Sequence, residues 1–309
     1  MSFALDVKKE VATLNVSNEG LKAELYGIVK LKANILMYEN DCQFEFVSAS
    51  LFFVRRITFL LKRIYKINLE IFSSKRPNLD YKDQYYIIVS EKAKEILIDL
   101  DIIDADLNFV KTSSAYDNNK DNVLRGFFLA RGSINDPRKS NYHLEIVCND
   151  EHEVDYLLGI LSDYYIEGKV VERSKGLVVY IKKSEHIGDF LKIIGANNML
   201  FSFENERIKR DLNNVVNRIM NCDIANSSRT QASALRQLQD IKIIEEHKGF
   251  GSLSTRLMEA IILRTNYPDS SLSELSEVSE QTIGRHLSKS GINHCFRDLR
   301  DLAKTLKNE

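Results

Sequence analysis

Tryptophan is absent from the 309-residue chain, and proline occurs only three times. With abundant Ile, Asn, Lys and Asp, that bias is compatible with an AT-rich genome. The four cysteines, Cys42, Cys148, Cys222 and Cys295, are scattered and form no CxxC pair. The paired spacing of a structural zinc site is therefore missing, and no metal or other cofactor is expected. Reduced thiols in a cytosol are the simple expectation. No uninterrupted apolar run reaches membrane-spanning length, so no membrane partner is expected. The start, Met-Ser-Phe-Ala-Leu-Asp-Val-Lys-Lys-Glu, carries charges where a secretory leader needs an apolar core. The formal net charge is only -1, so no global basic field draws the chain to nucleic acid, and any such binding must come from local patches. Apolar residues at 44% are enough for sizeable cores, and the length suits two or three domains.

An internal repeat organises what is present. Leu124-Arg-Gly-Phe-Phe-Leu-Ala-Arg-Gly132 is an apolar run with glycine at its third position, followed by Ser-Ile-Asn-Asp-Pro137. Leu25-Tyr-Gly-Ile-Val-Lys-Leu-Lys-Ala33 aligns with it position by position. Gly27 matches Gly126, Ala33 matches Gly132, and Lys32 matches Arg131. A repeat of this kind sets the architecture. By itself, each copy also reads as a buried helix with one small residue.

Residues 3–14 read as an amphipathic helix with Phe3, Val7, Val11 and Leu14 on one face. The first repeat helix follows over about 20–34, then strands at 35–38 and 42–48. A helix over 51–67 turns Leu51, Val54, Ile57, Leu61 and Ile64 inward and Arg55, Arg56, Lys62, Arg63 and Lys66 outward. That basic side is either a solvated face or a phosphate-contacting one. Asn68-Leu-Glu-Ile-Phe and Tyr85-Tyr-Ile-Ile-Val-Ser read as strands, separated by a polar loop through Pro77 and Asp80, and 91–100 reads as a helix. The polar stretch Thr112–Asn122 reads as a linker.

The order then repeats. The second helix covers 122–132, followed by a strand from Tyr142, a helix over 151–165, a hairpin of 169–173 with 177–182 across Ser174-Lys-Gly176, and a helix over 184–194 closed by Gly195. Residues 203–226 link and bind: Asn213, Asn214, Asn217, Arg218, Asn221 and Asn226 are either bidentate base readers or ordinary helix-surface residues. A helix over about 230–247 faces Leu235, Leu238, Ile241 and Ile244 inward, and Gly249 closes it.

The last segment predicts three helices. One covers 253–264. The next starts at a capping box of Ser271 with Glu274 and buries Leu272 and Leu275. After a turn at 280–284, the third runs from Leu287 with Ile292, Phe296, Leu299 and Ala303 inward and Asn293, Arg297, Arg300 and Lys304 outward. Two short capped helices, the second basic outside, are what a helix-turn-helix needs. From 285 onward, Arg285, Lys289, Arg297, Arg300, Lys304 and Lys307 outnumber Asp298, Asp301 and Glu309. Lys289, Ser290, Asn293, His294, Arg297 and Arg300 are the candidate DNA contacts. A small helical docking module fits the same spacing.

The paired strings resemble the signature helices of LAGLIDADG homing endonucleases. That resemblance implies two helices packed face to face through small residues, here Gly27 and Gly126. It also implies a metal-holding acid at each helix end, and this chain has Lys32 and Arg131 there instead. A cation in place of an anion removes a Mg²⁺ ligand and adds a repelling charge. Together with Tyr142-His-Leu-Glu-Ile, Ile194-Gly-Ala, Val216-Asn-Arg-Ile-Met-Asn-Cys and Ser288-Lys-Ser-Gly-Ile-Asn-His, these strings resemble the bacterial WhiA family over nearly the whole chain. Cys295-Phe296 departs from the Arg-Leu usual after Asn-His, and Lys30-Leu-Lys32 is a poorly preserved signature.

The resemblance implies an α+β, two-repeat LAGLIDADG-like domain with antiparallel sheets, followed by an all-α helix-turn-helix domain. The expected divisions are 1–112, 113–217 and 218–309, with the helix-turn-helix at about 271–304. It implies a non-enzymatic binder of double-stranded DNA that regulates transcription in cell division and chromosome segregation, and in sporulation among some relatives. Such a protein works in the cytoplasm at the nucleoid, and another regulator or a division protein is a further partner. A protein-docking adaptor of the division machinery is the alternative reading. An active endonuclease lacks its two acids, with Asp136 the nearest substitute. Two repeats in one chain satisfy each other, so a monomer is expected.

Overall fold

A computed structural model describes residues 2–39, 41–74, 83–139, 141–174 and 176–308 of the chain. They form two compact units, Met1–Arg210 and Asp211–Glu309. The expected loop through Pro77 and Asp80, and Lys175 in the expected hairpin turn, lie outside the described residues.

The first unit is built twice over. α1 (Phe3–Val11) precedes α2 (Asn18–Lys32), β1 (Asn34–Met37), β2 (Cys42–Ser48), α3 (Leu51–Tyr65), β3 (Phe72–Ser74), β4 (Gln84–Val89) and α4 (Ala93–Asp99). The second copy is α5 (Lys120–Arg131), β5 (Gly132–Ile134), β6 (Leu144–Cys148), α6 (Glu151–Asp163), β7 (Lys169–Arg173), β8 (Gly176–Ile181) and α7 (Ser184–Ile193). The two antiparallel sheets share one topology, β1-β2-β4-β3 and β5-β6-β8-β7. Phe44 pairs with Val89 and Phe46 with Ile87 in the first; Leu144 pairs with Ile181 and Ile146 with Val179 in the second. All eight are buried, so alternation along each strand gives its sheet one core face. One continuous core joins both copies, running from Phe3 to Phe203.

Local chemistry sets the element ends. The Ser17 hydroxyl accepts from Gly20 N at 3.1 Å to start α2, and Asp150 accepts from Glu153 N at 2.9 Å to start α6. Gly195, at φ +84°, takes the left-handed turn after α7 at no Cβ cost.

Several expectations need correction. The strand expected at Asn68–Phe72 is instead Phe72–Ser74, because pairing with Tyr86, Tyr85 and Gln84 of β4 places it there. The supposed linker Thr112–Asn122 is anchored. Tyr116 is 4% exposed, stacks on Tyr26 at 4.4 Å and donates to Leu100 O at 3.2 Å. The outward face given to α3 is also wrong at one position, since Arg56 is 5% exposed.

α8 runs unbroken over Asn197–His247. No proline or glycine interrupts those residues, and the two units divide inside it at Arg210/Asp211, where the sequence reading places a domain start at 218. The C-terminal unit adds α9 (Thr255–Asn266), α10 (Leu272–Ile283) and α11 (Lys289–Asn308). Its own core gathers Ile241, Ile244, Leu263, Leu275, Ile292, Phe296 and Leu299. Leu235, expected inward, is 59% exposed; Ala234 and Gln237 face the core in its place.

Candidate nucleic-acid interface

α2 and α5 cross with their backbones in contact. A Cβ on Gly27 would lie 2.6 Å from the Val123 carbonyl oxygen, and one on Gly126 would press into the Glu24 carbonyl. Only glycine permits that approach. Both helices are buried nearly all round, including one carboxylate. Glu24 accepts from Arg56 Nε at 2.7 Å and Nη2 at 2.8 Å, and Arg125 Nη1 stands 3.7 Å away. Arg56 also donates to Leu14 O, and Arg125 donates to Ile194 O and Asn122 Oδ1. This buried acid is structural, because its lone pairs are taken by arginines.

The C-terminal ends of α2 and α5 come together through Asn149. Arg131 Nη1 donates to Asn149 Oδ1, while Asn149 Nδ2 reaches Leu31 O at 3.5 Å and Glu153 Oε1 at 3.1 Å. Lys32 follows Leu31. Burial, and then the charge of Arg131, push the Lys32 ammonium below its ordinary pKa. Burial with Lys32 nearby lowers Lys8 to about 8, and Lys8 Nζ donates to Leu129 O at 3.1 Å. The two ends are thus cationic, which suits helix C-termini. Asp136, the sequence substitute for an acid, is tied to Arg138, whose hydrogen bonds lower it to about 2. Among the described residues, no group of three His, Cys, Asp or Glu is placed to hold a metal ion.

In the C-terminal unit the capping box forms as read. Glu274 N donates to Ser271 Oγ at 3.2 Å, and Ser271 N donates to Glu274 Oε2 at 2.6 Å. Gly284, at φ +77°, ends α10. The connection into α11 is pinned by two serines that sequence reasoning missed. Ser276 Oγ donates to Leu287 O at 2.6 Å, and the buried Ser279 hydroxyl accepts from Leu287 N at 2.9 Å. Their only signal in the sequence is a serine on each side of Glu277 and Val278.

α11 carries Ile292, Phe296, Leu299 and Ala303 on its buried side, as the spacing required. Lys289, Ser290, His294 and Arg297 are exposed, while Asn293 and Arg300 are half-buried. Their spacing puts Lys289, Ser290, Asn293, Arg297 and Arg300 on one helical face, with His294 at its edge. His294 Nδ1 meets Asp298 Oδ2 at 3.0 Å. Arg300, Lys304 and Lys307 lie near Asp240 of α8; burial raises that carboxyl, and the three cations oppose the rise. The basic tally therefore thins toward the helix end. It thins also at Arg285, which is bound to Glu259 with Nε at 3.0 Å from Oε1. Among the described residues, Lys289 and Arg297 have no carboxylate within ion-pair distance. The residues Asn213, Asn214, Asn217, Arg218, Asn221 and Asn226 are all exposed on α8.

These features define a tandem LAGLIDADG-like α+β protein that continues into a helix-turn-helix domain. Comparison with known families agrees. The WhiA N-terminal LAGLIDADG-like domain matches residues 18–103, the WhiA LAGLIDADG-like domain 120–213, and the WhiA C-terminal HTH domain 216–303. A "Probable cell division protein WhiA" of Lysinibacillus sphaericus is 37% identical over 312 residues, covering 99% of this chain and 98% of that one. The protein of the same name from Bacillus cytotoxicus is 37% identical over 311 residues, with the same coverage. A crystal structure of full-length DUF199/WhiA from Thermatoga maritima superposes with a TM-score of 0.58 at 25% identity, over 99% of this chain and 98% of that one. The chain belongs to the WhiA family.

Among the described residues, no helix is long and apolar enough to cross a membrane.

Proposed function

We propose that the chain is a non-enzymatic, sequence-specific binder of double-stranded DNA that regulates transcription in cell division and chromosome segregation, at the nucleoid in the cytoplasm. The observation that carries this is the first half of α11. It is held by the Ser276 and Ser279 hydrogen bonds and presents Ser290, Asn293 and Arg297 on one face with no carboxylate bound to Arg297 among the described residues. Asn and Arg read base edges bidentately, and the start of a recognition helix is where such contacts fall. Lys289, His294 and Arg300 flank that face and suit phosphate contacts. The helix-turn-helix match and the relatives' name, probable cell division protein, support the same reading.

The non-enzymatic part is supported by Lys32 and Arg131 at the two helix ends, and by the Arg138 clamp on Asp136. A monomer is supported by the α2–α5 packing, which is satisfied inside one chain. Gel shifts of the full chain at several salt concentrations test the proposal. Specific, salt-sensitive retention of a duplex is expected, and absence of any salt-sensitive binding would overturn it.

One observation favours a second role for the repeats, as a docking surface for another regulator or a division protein. The outward face of the first sheet is apolar rather than basic. Leu36, Val47, Ile88 and Phe72 are 38–44% exposed there, with Glu45 beside them on β2, whereas on the second sheet the equivalent Glu145 is paired with Arg173. Pull-down of a division protein by the full chain, lost on Ile88→Asp, is the expected outcome; unchanged capture would count against it.

A further inference from the structure

Within the C-terminal unit, a cavity of about 240 Å³ lies between α8, the turn before α10 and the first residue of α11. Arg229 and Ser233 of α8, Arg264 of α9, Ser271 and Ser273 at the start of α10, and Lys289 line it.

Arg264 is the unusual member. It is 1% exposed, yet every hydrogen-bond acceptor it meets is neutral. Its guanidinium donates to Gln237 Oε1 at 2.9 Å, and to the carbonyls of Tyr267 at 3.1 Å, Pro268 at 3.3 Å and Ser270 at 2.6 Å. Burial pushes its pKa down and the charge of Asp269 opposes this. Asp269 makes no ion pair with it. A buried charge is ordinarily matched by an opposite one. Here two more cations border the same cavity instead. Arg229 and Lys289 come from separate helices, both are exposed, and among the described residues neither lies within ion-pair distance of a carboxylate.

The hydroxyls complete the donor set. Ser271 Oγ accepts from Glu274 N and Ser233 Oγ accepts from Gln237 Nε2, so each hydroxyl proton remains available to donate. Three cations and several hydroxyls around one recess are the donor set that holds a tetrahedral oxyanion.

We propose that this cavity binds a phosphate group, supplied in the DNA complex by a backbone phosphodiester beside the groove that α11 enters. The identity of the phosphate as DNA rests on the DNA-binding reading above; the cavity's preference for phosphate does not. Bound there, the phosphate neutralises Arg264 and fixes the start of α11 against the duplex, setting the register in which Asn293 and Arg297 meet bases.

The test uses the full chain, its Arg229→Ala and Lys289→Ala variants, and Ser233→Glu, which brings a carboxylate into the cavity. Arg264 is left intact because it holds the Tyr267–Ser270 turn. Thermal unfolding is followed in inorganic phosphate and in chloride of equal ionic strength. Affinity for target and random duplexes is then measured against salt. Phosphate should raise the Tm of the wild type more than chloride does, and this difference should shrink in all three variants. The slope of log affinity against log salt should fall by about one in each alanine variant, equally on both duplexes.

A reduced slope without a free-phosphate effect supports a site that takes phosphate only as part of a duplex. A free-phosphate effect in a chain that binds no DNA supports the cavity as a site for inorganic phosphate or a phosphorylated small molecule, while the DNA reading falls. No phosphate-specific stabilisation together with unchanged slopes in both alanine variants overturns the proposal.

Discussion

Glu24 and Arg56 form a two-pronged ion pair sealed inside the repeat unit, with side-chain exposures of 0% and 4%. The carboxylate comes from the middle of α2 and the guanidinium from the first turns of α3. The pair fixes the roll of one helix against the other. Breaking a buried pair leaves its partner charge stranded, which costs about 3–5 kcal/mol. Arg56→Ala is therefore expected to lower unfolding stability by about that amount in urea titration. Arg55→Ala, beside it but exposed, should change stability by less than about 0.5 kcal/mol.

The helix crossing predicts opposite effects for two glycines. Gly126→Ala drives a methyl into the Glu24 carbonyl, backbone that cannot yield, and should cost about 1–3 kcal/mol or more. A methyl on Gly159, in α6, would meet nothing within 4 Å, and Gly159→Ala should stabilise by about 0.5–1 kcal/mol. Paired denaturation curves check the contrast.

Lys8 gives a pH signature. Its pKa falls from 10.5 to about 8 in the folded chain, through burial first and Lys32 second. Between those pH values the unfolded chain holds the proton and the folded chain has released it. Stability from this group therefore rises with pH across the window, and the penalty for its charge is fully present below about 8. The wild type should gain on Lys8→Met as pH is raised from about 8 towards 10.5, with chemical denaturation at each pH as the readout. A difference that stays flat would remove this assignment.

On α11, Arg297→Ala should weaken binding to the preferred duplex by about 1–3 kcal/mol and relax the preference at one base pair. Lys304→Ala, beside Asp301 and Asp240, should leave base preference unchanged. Selection of bound duplexes from a random pool separates these outcomes.

Much of this fold is legible in the sequence because it depends on spacing. The two glycines that meet at the helix crossing stand at matched positions of a repeat. The buried side of α11 follows from residues three and four apart, and the α10 start follows from Ser271 and Glu274. What is not legible depends on distant partners. Arg56 sits beside Arg55 on a helical wheel, and only Glu24, from another helix, draws it inside. The third strand forms where β4 offers an edge rather than where apolar residues alternate. The inward side of α8 uses Ala234 and Gln237, neither of which signals burial, while Leu235 signals a burial it does not have. In the candidate interface, Arg264 carries no mark in the sequence and Ser276 and Ser279 only their spacing, because ordinary serines and a lone arginine acquire meaning only from the groups they reach.

The most direct measurement is genome-wide occupancy in the source cell, comparing the wild-type chain with an Asn293→Ala, Arg297→Ala double variant of equal abundance and fold. Discrete wild-type sites sharing a common sequence, lost in the variant, are the predicted result. Sites that persist unchanged in the variant, or no discrete occupancy by the wild type, would contradict the claim that α11 makes this protein a sequence-specific DNA binder.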